Sequence, residues 1–175
     1  MMKSFFTLVV AAFMLQFGNA QAPETSNPED GMTSYFFIRH AEKDTSDPQN
    51  RDPKLSPEGE ARAQRWAEIF RETSFDLIYS TDYHRTRKTA NTIAGTKGLE
   101  VEFYDPKQMN DEEFQKKTKG KTVLVVGHSN TNPHFVNSIL KEAKYTDIDE
   151  AESGSLLIVT VSPAGETTSQ VLYIN

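Results

Sequence analysis

The chain has 175 residues, 37% of them hydrophobic, enough for one domain whose core closes without covalent staples. It contains no cysteine, which excludes disulfides, thiolate metal sites and a cysteine nucleophile. With 19 basic against 25 acidic residues the formal net charge is -6, which speaks against a nucleic-acid partner, because a phosphate backbone demands basic patches.

Met1, Met2 and Lys3 form a short positive region, residues 5–17 are almost wholly apolar, and Gly18, Asn19 and Ala20 precede Gln21. That order predicts a secretory signal peptide over residues 1–20 and export to a periplasm or the medium. The apolar run is too short for a comfortable bilayer span, so no membrane span is expected in the mature chain. Residues 21–33 are rich in Pro, Glu, Ser, Asn and Gly and read as a flexible tether. Residues 34–175 remain as one domain.

Residues 34–39 form an apolar strand that runs straight into Arg39, His40 and Glu42. A polar, proline-rich loop follows over residues 43–53, then a helix start with Ser56 as N-cap and Pro57 at the first helical position. Ala63, Trp66, Ala67 and Phe70 lie at helical spacing, and residues 75–80 return as a strand. A second helix is expected over residues 83–94 and a short strand over 101–104, closing at Asp105 and Pro106. Asn110 to Glu113 opens a short helix whose acids and closing lysines suit the helix dipole. Residues 122–127 form a β-branched strand ending in Gly127 and His128; residues 132–140 form a helix; residues 155–161 and 170–174 form a hairpin around Pro163, Ala164 and Gly165. Alternating strands and helices predict an α/β fold: a three-layer α/β/α sandwich with a mostly parallel central sheet and an antiparallel edge from the hairpin.

In such sheets, ligands bind in the crevice outside the carboxyl ends of the strands. Two strands here end in histidine, and a third, ending at Ser80, is followed by Arg85 and Arg87. If His40, His128, Arg39 and Arg85 converge, the guanidinium forks match phosphoryl oxygens and keep their charge near neutral pH. A neutral imidazole is then a nucleophile toward phosphorus, and the second histidine, protonated, steadies the transferring charge. Backbone amides from Ser129 to Thr131 add anion donors at the next helix. This scheme needs no metal or other cofactor. Zinc on His40, Glu42 and His128 fits by ligand type alone, but the two adjacent arginines would repel the ion.

Arg39-His40-Ala41-Glu42 resembles the RHxE signature of the histidine phosphatase superfamily, also called phosphoglycerate mutase-like. The run from Ser80 to Ala90 resembles that family's serine turn, arginine and Thr-Ala helix, and Gly127-His128-Ser129 its second-histidine motif. The short chain resembles the compact SixA-like branch, whose members include protein phosphohistidine phosphatases. The resemblance implies a phosphoglycerate mutase-like fold and a phosphatase acting on phosphomonoesters or phosphohistidine. In it His40 becomes the phosphorylated nucleophile, Arg39 and Arg85 bind phosphate, and His128 completes the pocket with Ser129 beside it. Larger members carry a glutamate acid in an insert after the strand at residues 101–104; here Asp105 is the preferred proton donor, with the acidic run at 111–113 read as a helix start. Without that insert, phosphohistidine, whose leaving imidazole is easily protonated, suffers least. Rival readings are a binding module that holds phosphorylated small molecules or phosphoproteins without turnover, and a phosphomutase. His84, His134, Arg87 and Lys88 read as surface charges, Glu42 as a group orienting Arg39 or a backbone amide, and oligomeric state stays open.

Overall fold

In the computed structural model, which describes residues 31–174, six strands and four helices alternate along the chain. They are β1 (Thr33–Arg39), α1 (Pro57–Ile69), β2 (Leu77–Ser80), α2 (His84–Lys97), β3 (Val101–Phe103), α3 (Glu112–Thr118), β4 (Thr122–Gly127), α4 (Thr131–Leu140), β5 (Ser155–Val161) and β6 (Thr167–Tyr173). The signal-peptide expectation lies outside the described residues, as does all of the tether but its end. Thr33, taken for that end, instead opens β1: it pairs with Val161, and its hydroxyl accepts from the Gly120 amide at 2.8 Å.

The sheet order is β3-β2-β4-β1-β5-β6, with parallel pairing from β3 through β1 and antiparallel pairing across β5 and β6. The hairpin thus forms the expected antiparallel edge, but β6 starts at Thr167. Thr167 pairs with Val161, so the ladder continues almost to the turn although residues 167–169 are polar.

Strand alternation splits the core in two. Ile38, Ile78, Leu124 and Val126 face Trp66, Phe70, Ala90 and Ile93 of α1, α2 and the turn after α1. Tyr35, Phe37, Val123 and Val125 face Phe114, Phe135, Val136 and Ile139 of α3 and α4. Both faces of β1 and β4 are therefore covered, which explains their unbroken apolar runs. Phe37 is fully buried and packs edge-on against Phe135 at 5.2 Å. Truncating such a side chain to alanine costs about 3–5 kcal/mol.

Local chemistry sets the helix ends. The Ser56 hydroxyl accepts from the Gly59 amide at 3.2 Å, with Pro57 in the first turn. Gly59 has no room for a side chain, because a Cβ there would sit 2.1 Å from the Glu42 carbonyl oxygen. The first turn of α1 is thereby pressed against the segment that leaves His40. Asp111 caps α3 by accepting from Phe114 N at 2.8 Å, which accounts for the acidic run at 111–113.

Candidate active site

The parallel register aligns the carboxyl ends of three strands. Arg39 of β1 stands opposite Gly127 of β4, and Ser80 of β2 opposite Val126. The next residue on each strand is His40, His128 or Thr81. The His40 amide donates to the Gly127 carbonyl at 2.9 Å, so the two histidine-bearing ends are tied together by their backbones. Their rings lie 5.4 Å apart with planes inclined at 70°.

Arg39 and His40 are each 3% exposed. The Nδ1 atom of His40 is 2.7 Å from the Ala41 carbonyl oxygen. A carbonyl only accepts, so Nδ1 carries the proton and Nε2 keeps its lone pair. Burial above all pushes the His40 pKa down to about 3; the Ala41 bond, next in size, pulls it up, and Arg39, Arg85 and His128 add smaller downward pushes. His40 is therefore neutral at physiological pH.

His128 is held by the Thr81 hydroxyl, 2.9 Å from Nε2, and by the edge-on ring of Tyr83 at 5.2 Å. Burial first, then Arg85 and Arg39, depress its pKa to about 4, although Glu150 pulls the other way. In the ligand-free protein His128 is thus neutral: burial, with two guanidinium groups beside it, leaves no favourable place for a third cation. A bound phosphoryl dianion would reverse that sign by supplying negative charge.

The Arg85 guanidinium lies 4.7 Å over the Tyr83 ring and 3.5 Å from Asp52 Oδ1. The Nε atoms of both Arg39 and Arg85 are buried without a partner. Buried donors are almost always satisfied, so two orphaned N–H groups beside two histidines suit an absent oxyanion. Gly127 is required here as well: a Cβ would meet Asn132 Oδ1 at 2.1 Å and the Tyr104 hydroxyl at 2.8 Å. Asn132 is fully buried, and its Nδ2 donates to the Ile38 carbonyl at 2.9 Å, which fixes the strand end that delivers Arg39 and His40.

Asp105 is not brought to this cluster. It is exposed, its Oδ1 accepts from the Lys107 amide at 2.9 Å, and it lines a separate cleft with Glu102, Gln108 and Asp111. Its carboxylate serves the turn that ends β3. The carboxylate that does reach the cluster is Glu150, which sequence reasoning missed: Oε2 is 3.0 Å from Arg39 and 3.6 Å from Lys43, and Oε1 accepts from the Ser129 hydroxyl at 2.5 Å. The Ser129 bond, then Arg39 and Lys43, lower its pKa, outweighing partial burial. Glu150 sits in an irregular loop with no motif, so no sequence signal marks it. Thr81 was findable, since it follows the end of β2 as the histidines follow theirs.

Glu42 pairs with Arg62 through its Oε1, so it orients α1 and not Arg39. Among the described residues no three His, Asp or Glu side chains are grouped to hold a metal, and no helix is long and apolar enough to cross a membrane. Arg87 pairs with Asp82, Lys88 with Glu60, and His134 with Asp147, all at the surface.

A mixed α/β sheet with two histidines and two arginines at its parallel carboxyl edge is the phosphoglycerate mutase-like fold. Residues 35–106 match the family model of the histidine phosphatase superfamily (branch 1). The matched stretch contains Arg39, His40 and Arg85 and stops short of His128. No curated protein matches the chain in sequence. Among solved structures, the fold is shared with a mycobacterial glucosyl-3-phosphoglycerate phosphatase complexed with VO3, at a TM-score of 0.64 and 13% identity, covering 82% of this chain and 100% of that one. A phosphoserine phosphatase from Entamoeba histolytica bound to 3-phosphoglyceric acid gives 0.62 and 18%, covering 82% and 98%. An Agrobacterium tumefaciens protein provisionally assigned as the phosphohistidine phosphatase SixA gives 0.59 and 20%, covering 81% and 99%.

Proposed function

We propose that this protein is a phosphatase that hydrolyses a phosphomonoester or phosphohistidine through a phosphoryl group carried on Nε2 of His40, without a metal. The observation that carries this reading is the neutral His40 ring, locked by Nδ1–H donation to Ala41 with its Nε2 lone pair beside Arg39, Arg85 and His128. In the first step the Nε2–P bond forms as the bond from phosphorus to the leaving atom breaks, and that atom takes the electron pair and a proton. In the second step water adds to phosphorus, the N–P pair returns to Nε2, and the water's proton goes to solvent. Arg39 and Arg85 neutralise the phosphoryl oxygens throughout, and His128 acquires a proton as the dianion enters.

The family match and the phosphatase neighbours support this activity. Phosphohistidine is the favoured substrate class, because Glu150, the carboxylate held at the cluster, is stabilised in its ionised form, and a leaving imidazole takes a proton readily from solvent. The same ionised acid keeps alive a second reading, a binding module that holds phosphorylated ligands without turnover. Export, with residues 21–175 as the mature chain, belongs to the proposal on the order of charged, apolar and small residues at the N-terminus.

The test is a rapid-quench reaction with a labelled phosphodonor, run beside His40→Ala. Acid-labile, base-stable label on the wild type and none on the variant supports the covalent mechanism. Measurable phosphate binding with neither label nor product across several phosphodonors would replace it with the binding module.

A further inference from the structure

Arg39 divides its donors between two tasks. Its Nη1 end donates to the main-chain carbonyls of Glu150 at 2.5 Å and Glu152 at 3.2 Å, which pins the loop between α4 and β5 over the site. The opposite edge, where Nε–H and one Nη2–H run parallel, is the edge that grips two oxygens of one oxyanion. That edge is half filled. Nε has no partner, whereas Nη2 donates to Glu150 Oε2 at 3.0 Å.

The same Glu150 carboxylate takes the Ser129 hydroxyl at 2.5 Å and lies 3.6 Å from Lys43. It therefore engages Arg39 and Ser129, two of the groups assigned to the phosphoryl group, while its side chain stays 67% exposed. We propose that Glu150 is a built-in competing anion, a side chain that occupies the phosphoryl subsite of the ligand-free protein and must swing outward for substrate to enter. This rests on the reading of the cluster as a phosphate pocket.

The geometry allows that movement at low cost. The loop's grip on Arg39 runs through main-chain carbonyls, so it persists when the carboxylate leaves. Ile148 N also donates to the Ser129 carbonyl at 2.9 Å, a second main-chain tie that the side chain does not share. A phosphoryl dianion offers Arg39 both Nε and Nη2 contacts, where Glu150 uses only Nη2. The exchange thus satisfies a donor that the resting state leaves orphaned.

The experiment is calorimetric titration of the full chain and its Glu150→Gln variant with orthovanadate and with inorganic phosphate. Gln keeps the size and the loop's main-chain ties but removes the charge. Both anions should bind the variant about three- to tenfold more tightly, the range expected from removing one partly exposed competing charge. Glu150→Ala should tighten binding as well. Equal or weaker binding by both variants, with the wild type binding normally, would overturn the competing anion and leave the phosphate pocket standing. A Glu150→Gln protein with unchanged anion affinity that loses rate only on esters with poor leaving groups would also overturn it, marking Glu150 as the proton donor. No binding by wild type or variants would sink this inference together with the pocket reading.

Discussion

The imidazoles of His40 and His128 stand 5.4 Å apart at the ends of adjacent parallel strands, and both are held neutral by their burial first and by the arginines beside them second. Each folded-state pKa lies below the ordinary histidine value of 6.5, at about 3 and about 4. The unfolded chain therefore binds protons that the folded chain refuses between those values, and stability is lost as pH falls through that window. Each histidine contributes a slope of up to about 1.4 kcal/mol per pH unit. Urea unfolding from pH 7 to pH 4 should show this decline, and His128→Asn should flatten it; an unchanged slope in the variant would mean that His128 titrates normally.

Arg85 is the second prediction. Its side chain is 13% exposed, lies across the Tyr83 ring, and has a buried, unpartnered Nε. Arg85→Ala should weaken orthovanadate binding and lower turnover by roughly 100-fold, the scale for losing one oxyanion donor. Arg85→Lys should recover only part, because an ammonium lacks the planar fork. Oxyanion affinity unchanged in Arg85→Ala would remove the residue from the pocket.

Gly127→Ala should destabilise the protein by about 1–3 kcal/mol, the usual cost of overpacking a tight interior. The added methyl meets Asn132 Oδ1 at 2.1 Å, and Asn132 in turn holds the Ile38 carbonyl two residues before His40. Stability and turnover should fall together. In a double-mutant cycle with Asn132→Ala the stability losses should be less than additive, since the smaller side chain makes room. Strict additivity would show that the methyl is accommodated elsewhere.

The features legible in the sequence were those with a local period or a strand end. Unbroken apolar runs at Phe36–Ile38 and Val123–Val126 marked strands covered on both faces, and the histidine after each run marked the site. The helix cap at Ser56 stood where its spacing put it, and α3 opened within the acidic run at 111–113 as expected. The part of the site that escaped depends on where loops return in space. Glu150 reaches Arg39 across 111 residues, brought there by the loop's main-chain bonds to Arg39 and to Ser129. Asp105 was chosen for its position after β3, but its carboxylate was already taken by the turn amide of Lys107. Charge state was equally hidden: the pairing of two arginines with two histidines suggests a protonated imidazole only until their mutual burial is known.

The pH dependence of kcat/KM, corrected for substrate ionisation, gives the last prediction, because it reports groups titrating in the free protein. A nucleophilic histidine with an ordinary pKa would place an acid limb near 6.5. With His40 depressed to about 3, the nucleophile is already neutral from about pH 8 to about pH 5, so His40 should put no acid limb in that interval. His128, at about 4 in the ligand-free protein, must take up a proton as the dianion enters, so it should make kcat/KM fall with rising pH across that interval. In the bound state the phosphoryl charge raises its pKa, and a fall in kcat between pH 6 and pH 8 would report that shift. An acid limb near 6.5 in kcat/KM would show that burial does not set the charge of His40, and the nucleophile's neutrality would then need another source.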